Sequence, residues 1–184
     1  MIQNPTFKNQ PNTLHKIDGK EIWEARYTAI EAIILAIYND NIYVLVEKRS
    51  SIMDEAEKWC VPCGYLDWNE SGWDAAVREV YEETSLYISK FDRYLITNND
   101  KKPFEVITDP SHYKQHIVLE YCIIFDFGSH NANFPIEVLD YKNKEVAEIK
   151  WLLIEDVLKP EYIWAFGHSD HIENAVHIFK KYLI

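Results

Sequence analysis

Three cysteines, Cys60, Cys63 and Cys122, are too few for a disulfide framework, so the fold must rest on a hydrophobic core. Long apolar runs are missing as well. The longest, from Ala32 to Tyr38, falls far short of the ~20 residues that cross a bilayer, and MIQNPTFKNQPN at the N-terminus lacks a signal-peptide layout. A cytoplasmic protein without a membrane partner is therefore expected. Basic residues are in deficit: 19 Lys and Arg face 30 Asp and Glu, a formal net charge of -11. Such a surface repels a phosphate backbone and no Lys/Arg cluster stands out, so no duplex nucleic acid partner is expected. A small anionic ligand remains compatible if metal ions neutralise it locally. Internal repeats and low-complexity tracts are absent too. Core material is present: 47% of the 184 residues are hydrophobic and 14% aromatic, which suits one compact domain and argues against a disordered chain.

Residues 1–24 are polar and turn-rich (Asn4-Pro5, Pro11-Asn12, Asp18-Gly19) and read as an irregular lead-in to a single domain spanning 25–184. An apolar segment at 27–38, a turn at Asn39-Asp40-Asn41 and a second run from Ile42 to Glu47 predict a β-hairpin. After a charged loop, Lys48 to Lys58, Pro62 and Gly64 keep WCVPCGYLDW extended or turning. Trp73, Ala76, Val77 and Val80 recur with a helical period, which predicts a helix from 72 to about 84 with Ser71 as N-cap. Beyond it, 87–97, 116–127 and 146–154 read as strands and 98–114 as a loop. A closing helix at 171–183 has Ser169 or Asp170 as its cap. Several strands with two well-placed helices indicate an α/β or α+β sandwich.

The predicted helix gathers Glu79, Glu82 and Glu83 on one flank beside its apolar stripe, at spacings i, i+3 and i+4. Like charges at these spacings repel by a few tenths of a kcal/mol per pair. Glu82 and Glu83 also oppose the macrodipole at the C-terminal end. A divalent cation would reverse the sign, because hard oxygen ligands suit Mg²⁺ or Mn²⁺. Taken alone, Glu-x-x-Glu-Glu is an ordinary solvated acidic face.

The surroundings are more specific. Gly64, five residues, Glu70, seven residues and then Arg78-Glu79-Val80-Tyr81-Glu82-Glu83-Thr84-Ser85-Leu86 resembles the Nudix box, GX5EX7REUXEEXGU with U aliphatic. Only the last glycine departs, being Ser85. Pro62-Cys63-Gly64 also replaces the more familiar Pro-Gly-Gly.

The resemblance implies an α/β fold, an α/β/α sandwich with a mixed central sheet. It implies hydrolysis of a pyrophosphate linkage in a nucleoside-diphosphate-type molecule by a metal-activated water. ADP-ribose, dinucleoside polyphosphates, nucleoside triphosphates and nucleotide sugars all remain open as this small-molecule substrate. By the same resemblance Glu79, Glu82, Glu83 and the Gly64 carbonyl bind Mg²⁺ (or Mn²⁺), and Glu70 pairs with Arg78 to hold the loop on the helix. Glu145, with Glu120 behind it, is the candidate base, and Arg49 a candidate contact to substrate phosphate. A homodimer is compatible with the family. The alternative within it is a domain that binds a nucleotide or ADP-ribose-type ligand without turnover.

Weaker features read more plainly. Cys60-Val61-Pro62-Cys63 does not begin a helix and lacks four zinc ligands, so it reads as two small residues in a strand and turn. His168-Ser169-Asp170-His171 reads as a helix start rather than a metal site. Trp59, Tyr65 and Trp68 are candidates to stack on a nucleobase, with core or rim packing the plainer role.

Overall fold

The computed structural model describes residues 12–97, 101–109, 116–128, 134 and 144–183. Part of the lead-in is not irregular. Strands β1 (Thr13–Ile17) and β2 (Lys20–Glu24) form a two-stranded antiparallel sheet, exposed at every residue. The turn that joins them is the Asp18-Gly19 pair, both at positive φ, where Gly and Asp are tolerated; it marked a turn in the sequence, but the short strands around it have no buried face to impose an alternation.

The expected hairpin follows. Strands β3 (Thr28–Tyr38) and β4 (Asn41–Arg49) pair antiparallel from Leu35–Val44 to Tyr38–Asn41. Beyond Leu35 and Val44 the two strands are no longer paired, and residues 59–65 enter the fork between them. There β5 (Trp59–Cys60) pairs with β4, and β6 (Cys63–Tyr65) pairs with β3, Gly64 opposite Ile30. Helix α1 (Gly72–Thr84) follows, within the predicted bounds.

Four elements complete the sheet and its cover: β7 (Glu105–Ile107), β8 (Ile117–Asp126), β9 (Val146–Leu153) and helix α2 (His168–Ile178), with a last helical turn α3 (Lys180–Leu183). β8 runs parallel to β3 over ten register pairs, whereas β7 and β9 run antiparallel to β8 and β4. The sheet is therefore mixed. Its centre is buried on both faces, as near-continuous apolar strands require.

Alternation along β3, β4 and β8 sorts the core. Ile30, Ala32, Ile34, Leu45, Tyr121 and Ile123 pack with Trp73, Ala76 and Val80 of α1. Ile33, Leu35, Val44, Val46, Cys122 and Ile124 pack with Ile172 and Ala175 of α2. Each such buried aliphatic side chain contributes roughly 1.5–3 kcal/mol. The product is the expected α/β/α sandwich, with one helix on each face.

Two elements differ from expectation. Residues 88–94 form a 3₁₀ helix, and only Leu95 bridges to Phe125. Ile88, Phe91 and Tyr94 recur every third residue, the 3₁₀ period, and all three belong to the α1-side core. The closing helix begins at His168, three residues early, capped by Gly167 at φ 79 rather than by Ser169 or Asp170. Within the expected loop, 105–107 are a strand, and 98–100 and 110–114 lie outside the described residues. No helix among the described residues is long and apolar enough to cross a membrane.

Candidate active site

The turn into α1 is fixed by Ser71, whose Oγ accepts the Asp74 N–H at 3.2 Å. At the other end Ser85 takes the left-handed conformation, φ 58 and ψ 11, and its N–H closes on the Tyr81 carbonyl. The backbone thus keeps the geometry for which the box carries glycine, at a cost of about 1 kcal/mol.

Arg78 organises the loop. Its Nε and Nη2 grip Glu70 at 3.1 and 2.8 Å, and Nη2 also donates to the Tyr65 carbonyl at 3.0 Å. Nη1 donates to Glu79 at 2.7 Å and to Glu82 at 3.2 Å. Glu70 in turn accepts the Asp67 N–H at 2.8 Å, so one carboxylate ties loop to helix. The Arg78 hydrogen bond holds the Glu70 carboxyl below its usual range. Such a two-bond fork is stronger and more directional than a single contact.

Residues 61–63 are held from three sides. The Val61 N–H donates to His168 Nδ1 at 3.1 Å, the Pro62 carbonyl accepts from Ala32 at 2.9 Å, and the Cys63 N–H donates to Glu83 Oε2 at 2.9 Å. Gly64 lies flat against Glu79: a Cβ there would stand 2.1 Å from Oε1. Cys63, in the place of a glycine, lines the cavity and keeps the backbone bond to Glu83.

Glu79 and Glu83 are buried, while Glu82 is half-exposed. Burial raises the Glu79 carboxyl, only partly offset by Arg78. Burial and the field of Glu47 push Glu83 well above the carboxylate range. Glu47, on β4, was not singled out from the sequence. It is 1% exposed, and burial drives its carboxyl up to about 8. The Cys60 thiol donates to its Oε1 at 3.4 Å, and its Oε2 has no hydrogen-bond partner among the described residues. A glutamate that closes the apolar run IYVLVE within the strand is the available signal.

Of these carboxylates, Glu79 and Glu83 border a cavity of about 490 Å³ at the mouth of the fork. Arg49, Arg78, Glu79, Glu83 and Glu145 line one side. Ser50 anchors the Glu145 segment, donating its N–H to the Glu145 carbonyl and its hydroxyl to the Lys144 carbonyl. Arg49 Nε donates to the Asp54 carbonyl at 2.6 Å, and its guanidinium lies over Phe166 at 4.9 Å. Tyr65 lines the cavity with His116, whereas Trp59 is buried against Tyr162 and Trp68 is 95% exposed. Both cysteines of the CxxC are unbridged.

The opposite wall is a different construction. Glu31, Glu120 and Glu105 stand side by side in register across β3, β8 and β7. Helix α2 meets this row with His168, His171 and Asn174, spaced by three. His168 Nε2 lies 3.2 Å from Glu31, His171 Nδ1 lies 2.7 Å from Glu31 and 2.9 Å from Glu120, and Asn174 donates to Glu105. Burial opposes the charge on His171, but hydrogen bonds to Glu120 and Glu31 outweigh it and raise the ring to about 10. For Glu31, burial is overcome by both histidines, and its carboxyl falls far below the usual range. Glu120 is fully buried on the α2 face and does not face the box helix, which removes it as an alternative base.

Glu31, His168 and His171 bring ligand-type atoms within 4.8 Å of one another. Because His168 Nδ1 accepts the Val61 N–H, the proton of the neutral ring sits on Nε2, 3.2 Å from Glu31, and a protonated nitrogen is not a metal ligand. By donor chemistry, though not by closeness of approach, the carboxylates at α1 suit a divalent cation better. They offer hard oxygen atoms, to which β4 adds the unpartnered Oε2 of Glu47, and Arg78 is the cation that bridges Glu79 and Glu82.

The family model of the NUDIX domain matches residues 28–173. In fold the chain is similar to a mutT/nudix family protein from Listeria innocua, at 24% identity over 86% of this chain and 98% of that one (TM-score 0.63). It is similar to the Ap4A hydrolase of C. elegans, at 20% identity over 87% of this chain and 100% of that one (TM-score 0.56). It is also similar to the NUDIX domain of Shewanella oneidensis NrtR complexed with ADP ribose, at 21% identity over 85% and 90% (TM-score 0.58). NrtR has further been solved with a 27mer DNA, matching at 19% identity over 84% of this chain and 62% of that one (TM-score 0.57). That finding corrects the expectation that duplex nucleic acid is excluded. Net charge is a sum over the whole chain and sets no bar on a local surface, and this fold occurs in a DNA-bound protein.

Proposed function

The chain belongs to the Nudix family, and from that premise we propose that it hydrolyses a diphosphate linkage in a small nucleotide-type molecule with the help of Mg²⁺ or Mn²⁺. The observation that carries this reading is the set of buried carboxylates on α1, braced by the Glu70–Arg78 fork at a cavity large enough for such a molecule.

In this reading Glu79, Glu82, Glu83 and the Gly64 carbonyl hold the cation. When bound, it supplies charge neutralisation for the phosphoryl oxygens and a lowered pKa for a coordinated water. Glu145 takes the proton from the attacking water, since it lines the same cavity and is tethered through Ser50. Arg49 offers its remaining guanidinium N–H groups to a phosphate oxygen. Arg78 and Glu70 position the helix carboxylates without touching substrate. ADP-ribose, dinucleoside polyphosphates, nucleoside triphosphates and nucleotide sugars share the required linkage.

The test is turnover of that panel with Mg²⁺ or Mn²⁺, with Glu82→Gln and Glu83→Gln alongside. Metal-dependent product that disappears in both variants supports the hydrolase. A compound retained unaltered, with no product from any member, would support a ligand-binding domain instead. Turnover that survives chelation would overturn the metal role.

A further inference from the structure

We infer that Glu47 is a further carboxylate of the metal cluster, so that strand β4 as well as helix α1 supplies an oxygen ligand to the cation. This rests on the metal-dependent reading of the site, and extends it to a residue outside the box.

Position comes first. Side-chain alternation along β4 puts Glu47 on the face of Leu45, which packs with α1, and opposite that of Val44 and Val46, which pack with α2. Its register partners are Cys60 on β5 and Ile149 on β9, neither of which brings a charge. The carboxyl group is thus delivered to the α1 face, against Cys60, three residues before the Cys63 N–H that holds Glu83.

Partners come second. A carboxylate at 1% exposure has lost its water and requires hydrogen bonds or a cation in return. Oε1 receives only the thiol of Cys60, a weak donor, at 3.4 Å. Oε2 receives nothing among the described residues. The nearby guanidinium of Arg49 is engaged through Nε with the Asp54 carbonyl and stacked on Phe166. Glu83, by contrast, has the Cys63 N–H, and Glu79 has Arg78. Glu47 is the member of the group whose chemistry is least complete without a cation, and a hard oxygen ligand with one unshared oxygen is what a divalent ion takes.

The competing account is structural: a protonated Glu47 packed beside Glu83. Glutamine reproduces that shape and polarity, but is a far poorer ligand. The full chain is titrated with Mn²⁺ by calorimetry and melted in EDTA and in Mn²⁺, comparing wild type with Glu47→Gln. The expected result is a Mn²⁺ affinity at least tenfold weaker and most of the Mn²⁺-induced rise in Tm lost, with the Tm in EDTA unchanged or higher. Wild-type Mn²⁺ affinity in Glu47→Gln overturns the inference and leaves the metal-dependent reading standing. Absence of Mn²⁺ binding in the wild type overturns both. Should Glu47→Gln fail to fold, Glu47→Asp keeps the charge but withdraws it by one methylene, and an undiminished Mn²⁺ affinity there overturns the inference equally.

Discussion

Gly64 and Glu79 are in contact through the face where a side chain would begin: a methyl group on Gly64 would stand 2.1 Å from Glu79 Oε1 and 2.3 Å from its Cδ. No rotamer change at Gly64 relieves this, because the obstruction is at Cβ itself. Gly64→Ala must therefore push Glu79 away from Arg78 and out of the cluster. Activity should fall by about 100-fold or more, with a stability loss of about 1–3 kcal/mol typical of overpacking. Steady-state kinetics and urea melts on one preparation check both numbers. A fully active Gly64→Ala would mean that Glu79 does not need its present position.

Arg78→Lys replaces a planar fork with a single ammonium. Lysine cannot hold both oxygens of Glu70 and still reach Glu79, Glu82 and the Tyr65 carbonyl. The loss should appear mainly in kcat, by roughly 10–100-fold, while the Tm falls by only a few degrees, since the group is partly solvated. An equal fall in both would point to a wholly structural role.

Ser85 carries a left-handed backbone at φ 58 without the freedom of glycine. Ser85→Gly should stabilise the protein by about 0.5–1 kcal/mol, roughly 1–4 °C in Tm, with unchanged kinetics. A decrease in Tm would show that the serine side chain makes a compensating contact.

His171 and Glu31 set a pH signature. The ring of His171 is raised from 6.5 to about 10 on folding, so its contribution is fully present below pH 6.5 and is lost as pH rises toward 10. Glu31 is shifted the other way, so its contribution is present above about 4.5 and is lost as pH falls below that. The stability difference between wild type and His171→Gln should be largest between pH 4.5 and 6.5 and shrink steadily up to pH 10. Urea melts across that range measure it. A difference that does not change with pH would show that the pair is not ionised in the native state.

The hairpin, helix α1 and its Ser71 cap were legible because each depends on neighbours within about a dozen residues. Periodicity and turn residues report such local choices directly. The 3₁₀ segment at Ile88, Phe91 and Tyr94 was not, because a three-residue spacing resembles a loose strand alternation. The row of Glu31, Glu120 and Glu105 depends on the register of three strands far apart in sequence. A one-residue slip would have sent each carboxylate to the other face. His168 offered equally little: its role is set by the amide of Val61, 107 positions away. Glu47 could have been suspected, since a charge inside an apolar strand needs a reason, but not what stands beneath it.

The short segment 61–63 takes one bond from each layer of the sandwich: His168 from α2, Ala32 from the sheet and Glu83 from α1. A strap tied this way cannot open at one end alone, because releasing either amide exposes a buried acceptor belonging to a different layer. The amide hydrogens of Val61 and Cys63 should therefore exchange with solvent as one cooperative unit, at a common opening free energy. Glu83 and His168, the two acceptors, both line the cavity, so its occupation would then slow exchange at Val61 and Cys63 together. Exchange at these two amides would then report a ligand from both walls of the site at once.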